Sequence, residues 1–329
     1  DVGIFLKEWT TLYESKSGER GIFNRVAATK KASSNGRRDV EGFEYGTNPC
    51  GEIILRSKGL CNLSEIVIRE NDTLADLKEK VRVATIIGTF QSTLTNFRYL
   101  RSDWRRNQEE ERLLGVSLTG QFGNKFFSGK QDIKKLSEVL SGLREYAREV
   151  NENESTKLNI PASAAITCVK PSGTVSQLVG VSSGMHAWHS KYYIRTVRGS
   201  KTDPLSTFLK EVGIPCEDDF MKPTDTQVFS FPVKAPEGAI LRSDLTAIDH
   251  LNIWLVYQRA WCEHKPSITV SVKDDEWMEV GAWVWEHFDE VSGISFLPYS
   301  DHSYKQAPYQ EVEESDYLEL LAKMPSSIR

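Results

Sequence analysis

Short, β-branched apolar runs alternating with long amphipathic helices predict an α/β fold built on parallel strands. Three runs read as strands: residues 164–169 (Ala-Ala-Ile-Thr-Cys-Val), Ser267–Val272 and Gly293–Leu297. Helical patterns stand between them, over residues 131–157, from Ser243 onward and over Asp274–Glu290. No internal repeat or low-complexity linker interrupts the chain, so it reads as a single domain, residues 1–329.

The elements follow in order. The N-terminus, Asp1-Val2-Gly3-Ile4-Phe5-Leu6-Lys7, reads as helix and lacks the basic, apolar and small-residue succession of a signal peptide. It also lacks an initiator Met, as expected of a fragment or a processed product. Residues 1–60 form an N-terminal segment in which a short helix gives way to a long, turn-rich excursion ending on Asn48–Glu52. Long loops of this kind are commonly functional or disordered.

Thr73 with Asp76 three residues later forms a capping-box pattern, which starts a helix near Asp72. Leu74, Leu77, Val81, Ala84 and Ile87 then recur at helical spacing. The 131–157 helix has a charged outer face. Further on, a helix over residues 203–213 and a strand over Val228–Val233 are expected. The helix opened by Ser243 carries Leu245, Ile248, Asn252 and Leu255 on one side. The Asp274–Glu290 helix aligns Trp277, Val280, Val284 and Phe288.

Composition narrows the function classes. With 39% hydrophobic and 26% charged residues, the 329-residue chain is ordinary for a globular protein. Its net charge of -5 argues against a general nucleic-acid binder. The short basic stretches at Arg101–Arg106 and Arg195–Lys201 read as solvated faces. No run of about 18 apolar residues offers a membrane span. Five scattered cysteines make no disulfide scaffold, and no Cys/His cluster has zinc spacing. A reducing, cytoplasmic setting is therefore expected.

Three segments carry chemistry. Asn48-Pro49-Cys50-Gly51-Glu52 brings an amide, a thiol and a carboxyl together in a turn shaped by Pro and Gly. Such a turn can aim Cys50 at a substrate, with Glu52 as a proton acceptor and Asn48 holding the same hydroxyl. A plain surface turn is the competing reading, and a thiolate nucleophile a third, although no His lies nearby in sequence. Lys170-Pro171-Ser172-Gly173-Thr174-Val175-Ser176 follows a predicted strand and opens a helix, the recipe for a phosphate site. It is not a Walker A loop, and a capped helix start would look the same. Gly180 and Ser182-Ser183-Gly184 extend this small-residue stretch, as close backbone packing on a ligand or as another turn. Cys61, in Leu60-Cys61-Asn62-Leu63-Ser64-Glu65, would by itself be read as core.

These three segments, in this order, resemble the catalytic subunits of ribonucleotide reductases. The closest likeness is to the adenosylcobalamin-dependent (class II), monomeric-type triphosphate reductases. Ser182-Ser183-Gly184-Met185-His186, Lys191-Tyr192-Tyr193-Ile194-Arg195, His264-Lys265-Pro266-Ser267-Ile268-Thr269-Val270, Gly293-Ile294-Ser295-Phe296-Leu297-Pro298 and Gln306-Ala307-Pro308-Tyr309 extend it. The likeness runs from about residue 44 to 320.

The resemblance implies the second half of a ten-stranded α/β barrel (residues 61–329) with a central finger loop. Cys50 would be the transient thiyl radical that takes the 3′-hydrogen of a ribonucleotide, initiated by adenosylcobalamin. Glu52 would take the 3′-hydroxyl proton, Asn48 would hold the hydroxyls, and Cys61 would be one of two reducing cysteines. Ser172, Gly173, Thr174, Val175 and Ser176 would bind the substrate phosphates. Shielding of a thiyl radical from side reactions favours a buried loop tip over a surface turn.

Two parts of the family pattern have no counterpart among these residues: the first half-barrel, which supplies the partner of Cys61, and the C-terminal cysteine pair that relays electrons from a thioredoxin-like reductant. The expected partners are thus a ribonucleotide, an N-terminal half polypeptide and that reductant, with no membrane or nucleic acid. A half-barrel alone would leave two exposed strand edges. Other readings are a reductase using a radical from a partner subunit, with Tyr192-Tyr193 as relay, and a nucleotide-binding module without chemistry. An unrelated phosphate-binding transferase built on Ser172–Ser176 leaves Asn48–Glu52 unexplained. Cys168, Cys216 and Cys262 carry no motif role and read as structural.

Overall fold

A computed structural model describes residues 1–18, 20–39, 41–299 and 305–326. The chain starts with helix α1 (Val2–Glu14), strand β1 (Gly21–Ile22), helix α2 (Arg25–Ser33) and the strands β2 (Tyr45–Thr47), β3 (Ile54–Arg56) and β4 (Asn62–Val67). Helices α3 (Leu74–Gln91) and α4 (Ser102–Glu111) lead to β5 (Leu114–Thr119), α5 (Ile133–Leu158), β6 (Thr167–Cys168) and α6 (Val175–Val179). Then come β7 (Tyr192–Ser200), α7 (Pro204–Glu211), β8 (Cys216–Asp218) and β9 (Thr226–Lys234). The chain continues through α8 (Ala247–Ala260), β10 (Thr269–Val272), α9 (Trp277–Glu286), β11 (Ile294–Pro298), β12 (Tyr309–Glu311) and α10 (Glu314–Lys323).

The capping box expected at Thr73 and Asp76 is present and starts α3. Leu77, Val81 and Ala84 form its buried face, whereas Leu74 and Ile87 are exposed. The later helix starts at Thr246, not at Ser243. Thr246 and Asp249 make a second capping box, while Arg242–Asp244 is a separate 3-10 turn. Side-chain caps of this type satisfy the orphan N–H groups of a first turn, and Ser243 has no partner three residues on that could close one.

By internal packing the chain falls into two compact units. The first comprises Asp1–Ala187 with Leu245–Tyr299. Its strands β4, β5 and β6 pair in parallel in that order, as do β10 and β11. A parallel bridge between Val169 and Pro266 joins the two groups, so five parallel strands follow one another in sequence order. Helices supply the crossovers that parallel pairing requires. The outer edge of β11 is occupied by the antiparallel β1, Gly21 lying opposite Ser295. The opposite edge, β4, has β5 as its one described neighbour. Beside it, β4 and α3 border a groove of about 670 Å³ lined by Leu63, Val67, Val83 and Ile87 among others. This differs from the expected pair of free edges: β1 covers part of one.

Helix α5 buries Leu136, Leu140, Leu143, Ala147 and Val150 and packs on α3 and α8. Its buried Asn151 donates to Thr89 Oγ1 at 2.9 Å and Ser163 Oγ at 3.0 Å, and accepts from the Ser163 N–H at 2.8 Å. Such satisfied buried amides fix how elements meet.

The second unit comprises Trp188–Asp244 with the described residues from 305 onward. It holds an antiparallel sheet in the order β12-β7-β9-β8, with α7 and α10 packed on it. Consecutive Tyr192 and Tyr193 point to opposite faces of β7, as strand geometry requires. Tyr192 donates to Glu314 Oε1 at 2.6 Å, and Tyr193 packs with Trp188, Ala235 and Ala239. Both tyrosines are engaged in packing.

Candidate active site

Asn48–Glu52 is the tip of a β-hairpin. Strands β2 and β3 pair antiparallel, with Thr47 opposite Ile54 and Tyr45 opposite Arg56. Tyr45 anchors the base by packing on Ala28, Ala32 and Ile54. At the tip, the Gly51 N–H donates to the Asn48 carbonyl at 2.9 Å, and the Ile53 N–H donates to Asn48 Oδ1 at 3.0 Å. Gly51 has φ +80°, a conformation that favours glycine. The tip is thus a shaped turn, but Cys50 is exposed, which differs from the buried tip that shielding of a radical predicts, because nothing among the described residues closes over it. Asn48 spends its side-chain oxygen on the loop itself, while no bond among the described residues uses its amide NH2.

Glu52 follows two residues after Cys50. It is fully enclosed, and neither carboxylate oxygen has a hydrogen-bond partner. A buried carboxylate in that state is costly unless a ligand or a counter-charge compensates it. Cys61 is partly buried. Its thiol is pushed well above the ordinary value by burial first and by the charge of Glu52 second. Cys168 is pushed up likewise, by burial and then by Cys61 and Glu52. The structure therefore brings Glu52 and Cys61 into one electrostatic neighbourhood, and adds Cys168, which sequence reasoning had left as core.

Gly115 makes room for this cluster. A Cβ there would stand 2.4 Å from Leu63 Cδ2 and 3.0 Å from both Cys61 Sγ and Ile53 Cδ1.

Segment 264–267 fastens the hairpin to the parallel strands. The Ile54 N–H donates to His264 Nδ1 at 3.3 Å, and His264 Nε2 lies 2.9 Å from the Leu114 carbonyl. That pair of contacts selects the neutral imidazole with its proton on Nε2. Burial, then the nearby Arg38 charge, lower His264 to about 3. The Lys265 N–H donates to the Glu52 carbonyl at 3.2 Å, and Ser267 Oγ donates to the Cys50 carbonyl at 2.6 Å. Cys50, Gly51, Lys265, Ser267 and Gly293 line a cavity of about 250 Å³. In the sequence, His264–Val270 stands out only as a stretch of likeness, without a role. A basic residue directly before a predicted strand was the available signal.

The second expected segment leaves β6 and enters α6. Ser172 and Ser176 are buried and bonded to each other: the Ser176 N–H donates to Ser172 Oγ at 3.0 Å, and Ser176 Oγ donates to the Ser172 carbonyl. Gly173, Thr174 and Val175 are exposed. The two serine hydroxyls therefore shape the turn, and the exposed backbone between them is what a ligand would meet. Gly184 packs on the Lys170 carbonyl, and its N–H donates to Thr119 Oγ1 at 2.8 Å, so that small-residue stretch serves close backbone packing. Among the described residues, no group of three or more His, Cys, Asp or Glu is placed to hold a metal ion.

No protein-family model matches the chain. Its sequence is 28% identical over 334 residues to an adenosylcobalamin-dependent ribonucleoside-triphosphate reductase of Lactobacillus gasseri, covering 92% of this chain and 44% of the relative. A protein of the same description from Euglena gracilis is 30% identical over 301 residues, with 89% and 40% covered. In structure, the chain is similar to a B12-dependent (class II) ribonucleotide reductase, with a TM-score of 0.74 at 23% identity over 86% of this chain and 43% of that one. It also shares fold with the alpha subunit of a class Id ribonucleotide reductase of Actinobacillus ureae, at TM-score 0.60 and 15% identity. The chain spans less than half the length of these curated relatives. By sequence, the chain is a homologue of the adenosylcobalamin-dependent ribonucleoside-triphosphate reductases.

Proposed function

We propose that this chain carries the radical chemistry that reduces ribonucleoside triphosphates to 2′-deoxyribonucleotides, and that it does so when joined by a second polypeptide. The observation that carries the reading is the hairpin tip: an exposed thiol at Cys50, two residues before an enclosed carboxylate that has no partner. A substrate hydroxyl reaching Glu52 would be its first hydrogen-bond partner, which is the arrangement a proton acceptor needs. Cys50 would take the 3′-hydrogen, the Asn48 amide would hold a hydroxyl, and Cys61 would deliver reducing equivalents to the 2′-position. Its raised thiol value suits that task, since it stays protonated until it reacts. Gly173, Thr174 and Val175, braced by Ser172 and Ser176, would receive the phosphates.

Adenosylcobalamin fits the described residues at one point. Cys50 is open to a hydrogen-atom acceptor arriving from outside, whereas the adjoining cavity measures about 250 Å³. When bound, the cofactor would supply the carbon-centred radical that removes the thiol hydrogen of Cys50. The chain's own part is to hold that thiol in place and to shelter Glu52.

The same reading includes a ten-stranded barrel completed by an N-terminal half against β4, the hairpin as its finger loop, a thioredoxin-like reductant and a cytoplasmic setting. The succession of five parallel strands supports the half-barrel. The test is an assay of ribonucleoside triphosphate reduction with adenosylcobalamin, for the chain alone and with a candidate N-terminal half. Turnover only in the mixture is expected. Robust turnover by the chain alone would overturn the two-part reading. Turnover that needs a metal-bearing subunit instead of adenosylcobalamin would overturn the cofactor assignment.

A further inference from the structure

The Cys50 cavity holds a group that neither the sequence motifs nor the proposed reaction employs. Of the residues lining it, Lys265 alone is charged. Lys265 is 3% exposed, and among the described residues its ammonium makes a single hydrogen bond, to the Gly293 carbonyl at 3.3 Å, and lies 5.9 Å from the centre of the Phe23 ring. An ammonium has three N–H donors, so an enclosed one with a single long bond is under-partnered. Burial lowers Lys265 to about 8, and the charge of Glu52 is the largest influence opposing that fall, ahead of Cys262.

Glu52 mirrors this state, being enclosed with both oxygens unbonded. The two residues are tied through the main chain by the bond from the Lys265 N–H to the Glu52 carbonyl. Another nearby cation, Arg38, is already committed to Glu111 at 2.6 and 3.3 Å. Neither Glu52 oxygen accepts a bond from Lys265, so compensation between the two buried groups acts at longer range, through the low-dielectric surroundings they share.

We propose that Lys265 is a positioning residue: from the wall of the Cys50 cavity its ammonium serves as counter-ion to Glu52, the carboxylate that would accept the proton. The inference rests on the role proposed for Glu52, and adds the group that makes the role possible. Glu52 and Cys262 act on Lys265 electrostatically, and Cys50 lines the same cavity.

The test is a double-mutant cycle on the full chain, with urea unfolding midpoints at pH 7 for Lys265→Met, Glu52→Gln and the pair. The pair is expected to lose less than the sum of the two single losses, because each single variant strands one buried charge. Additive losses would overturn the proposal. A pair that folds where a single variant does not counts as the same coupling. Titration of isotope-labelled Lys265 in the wild-type chain gives a second reading: a midpoint near 8 that falls in Glu52→Gln and holds in Glu52→Asp is expected, and an ordinary lysine midpoint would sink the idea. In an assembled enzyme, Lys265→Met should lower kcat tenfold or more at unchanged KM, with partial recovery in Lys265→Arg. Absence of any reduction by the wild-type assembly would count against the proposed function alone, since the stability cycle needs no turnover.

Discussion

Ser267 holds Cys50 by its main chain: the serine hydroxyl donates to the cysteine carbonyl at 2.6 Å and leaves the thiol untouched. The tip is thereby fixed while Cys50 stays exposed. Replacing Ser267 by Ala removes one hydrogen bond, worth about 1 kcal/mol. Faster amide hydrogen exchange over residues 48–53 is the expected outcome, with overall stability little changed. Unaltered exchange at the tip would show that the bond does not order it.

Cys50→Ala should separate chemistry from folding. The side chain is exposed, so the melting temperature should barely change, within about 0.5 kcal/mol. Reduction by an assembled enzyme should vanish while ribonucleotide binding, followed by calorimetry, persists. Residual reduction would remove Cys50 from the radical path.

Gly115→Ala probes the space shared by Cys61, Leu63 and Ile53. The added methyl meets all three at 3.0 Å or less, so overpacking should cost about 1–3 kcal/mol. A thermal melt checks this, and an unchanged melting temperature would mean that the strand can move aside.

The buried histidines set the response to acid. Burial lowers His264 to about 3 and His250 to about 4, against an ordinary value of 6.5. Depressed folded-state values mean that the unfolded chain takes up protons first as the pH falls below 6.5. Stability should therefore decline from about pH 6.5 down to about pH 3–4, each unit of separation being worth about 1.4 kcal/mol. Urea midpoints between pH 7 and 4 measure the slope, and His264→Gln should flatten it. An equally steep slope in that variant would place the acid response elsewhere.

Parallel strands and their helices were legible in the sequence because their burial pattern is local. The runs at 164–169, 267–272 and 293–297 fall on β6, β10 and β11, and Thr73 caps α3 as its spacing announced. The sheet of the second unit was mostly missed. Val228–Val233 was read as a strand, but its partner β7 mixes Tyr, Arg, Gly and Ser, a pattern without clean alternation. The hairpin tip was visible as a motif, yet the groups that hold it, His264, Lys265 and Ser267, lie more than two hundred residues away in sequence. Their proximity depends on tertiary pairing between 264–267 and the β6 edge, which no local spacing encodes.

The two borders of the parallel array have different fates. One is occupied by a short antiparallel strand; the other, along Asn62–Val67, still offers its main-chain groups next to an apolar trough. The array is therefore open along β4 and covered in part along β11. An open strand border of this kind is a template on which another chain, an identical molecule included, can add a strand.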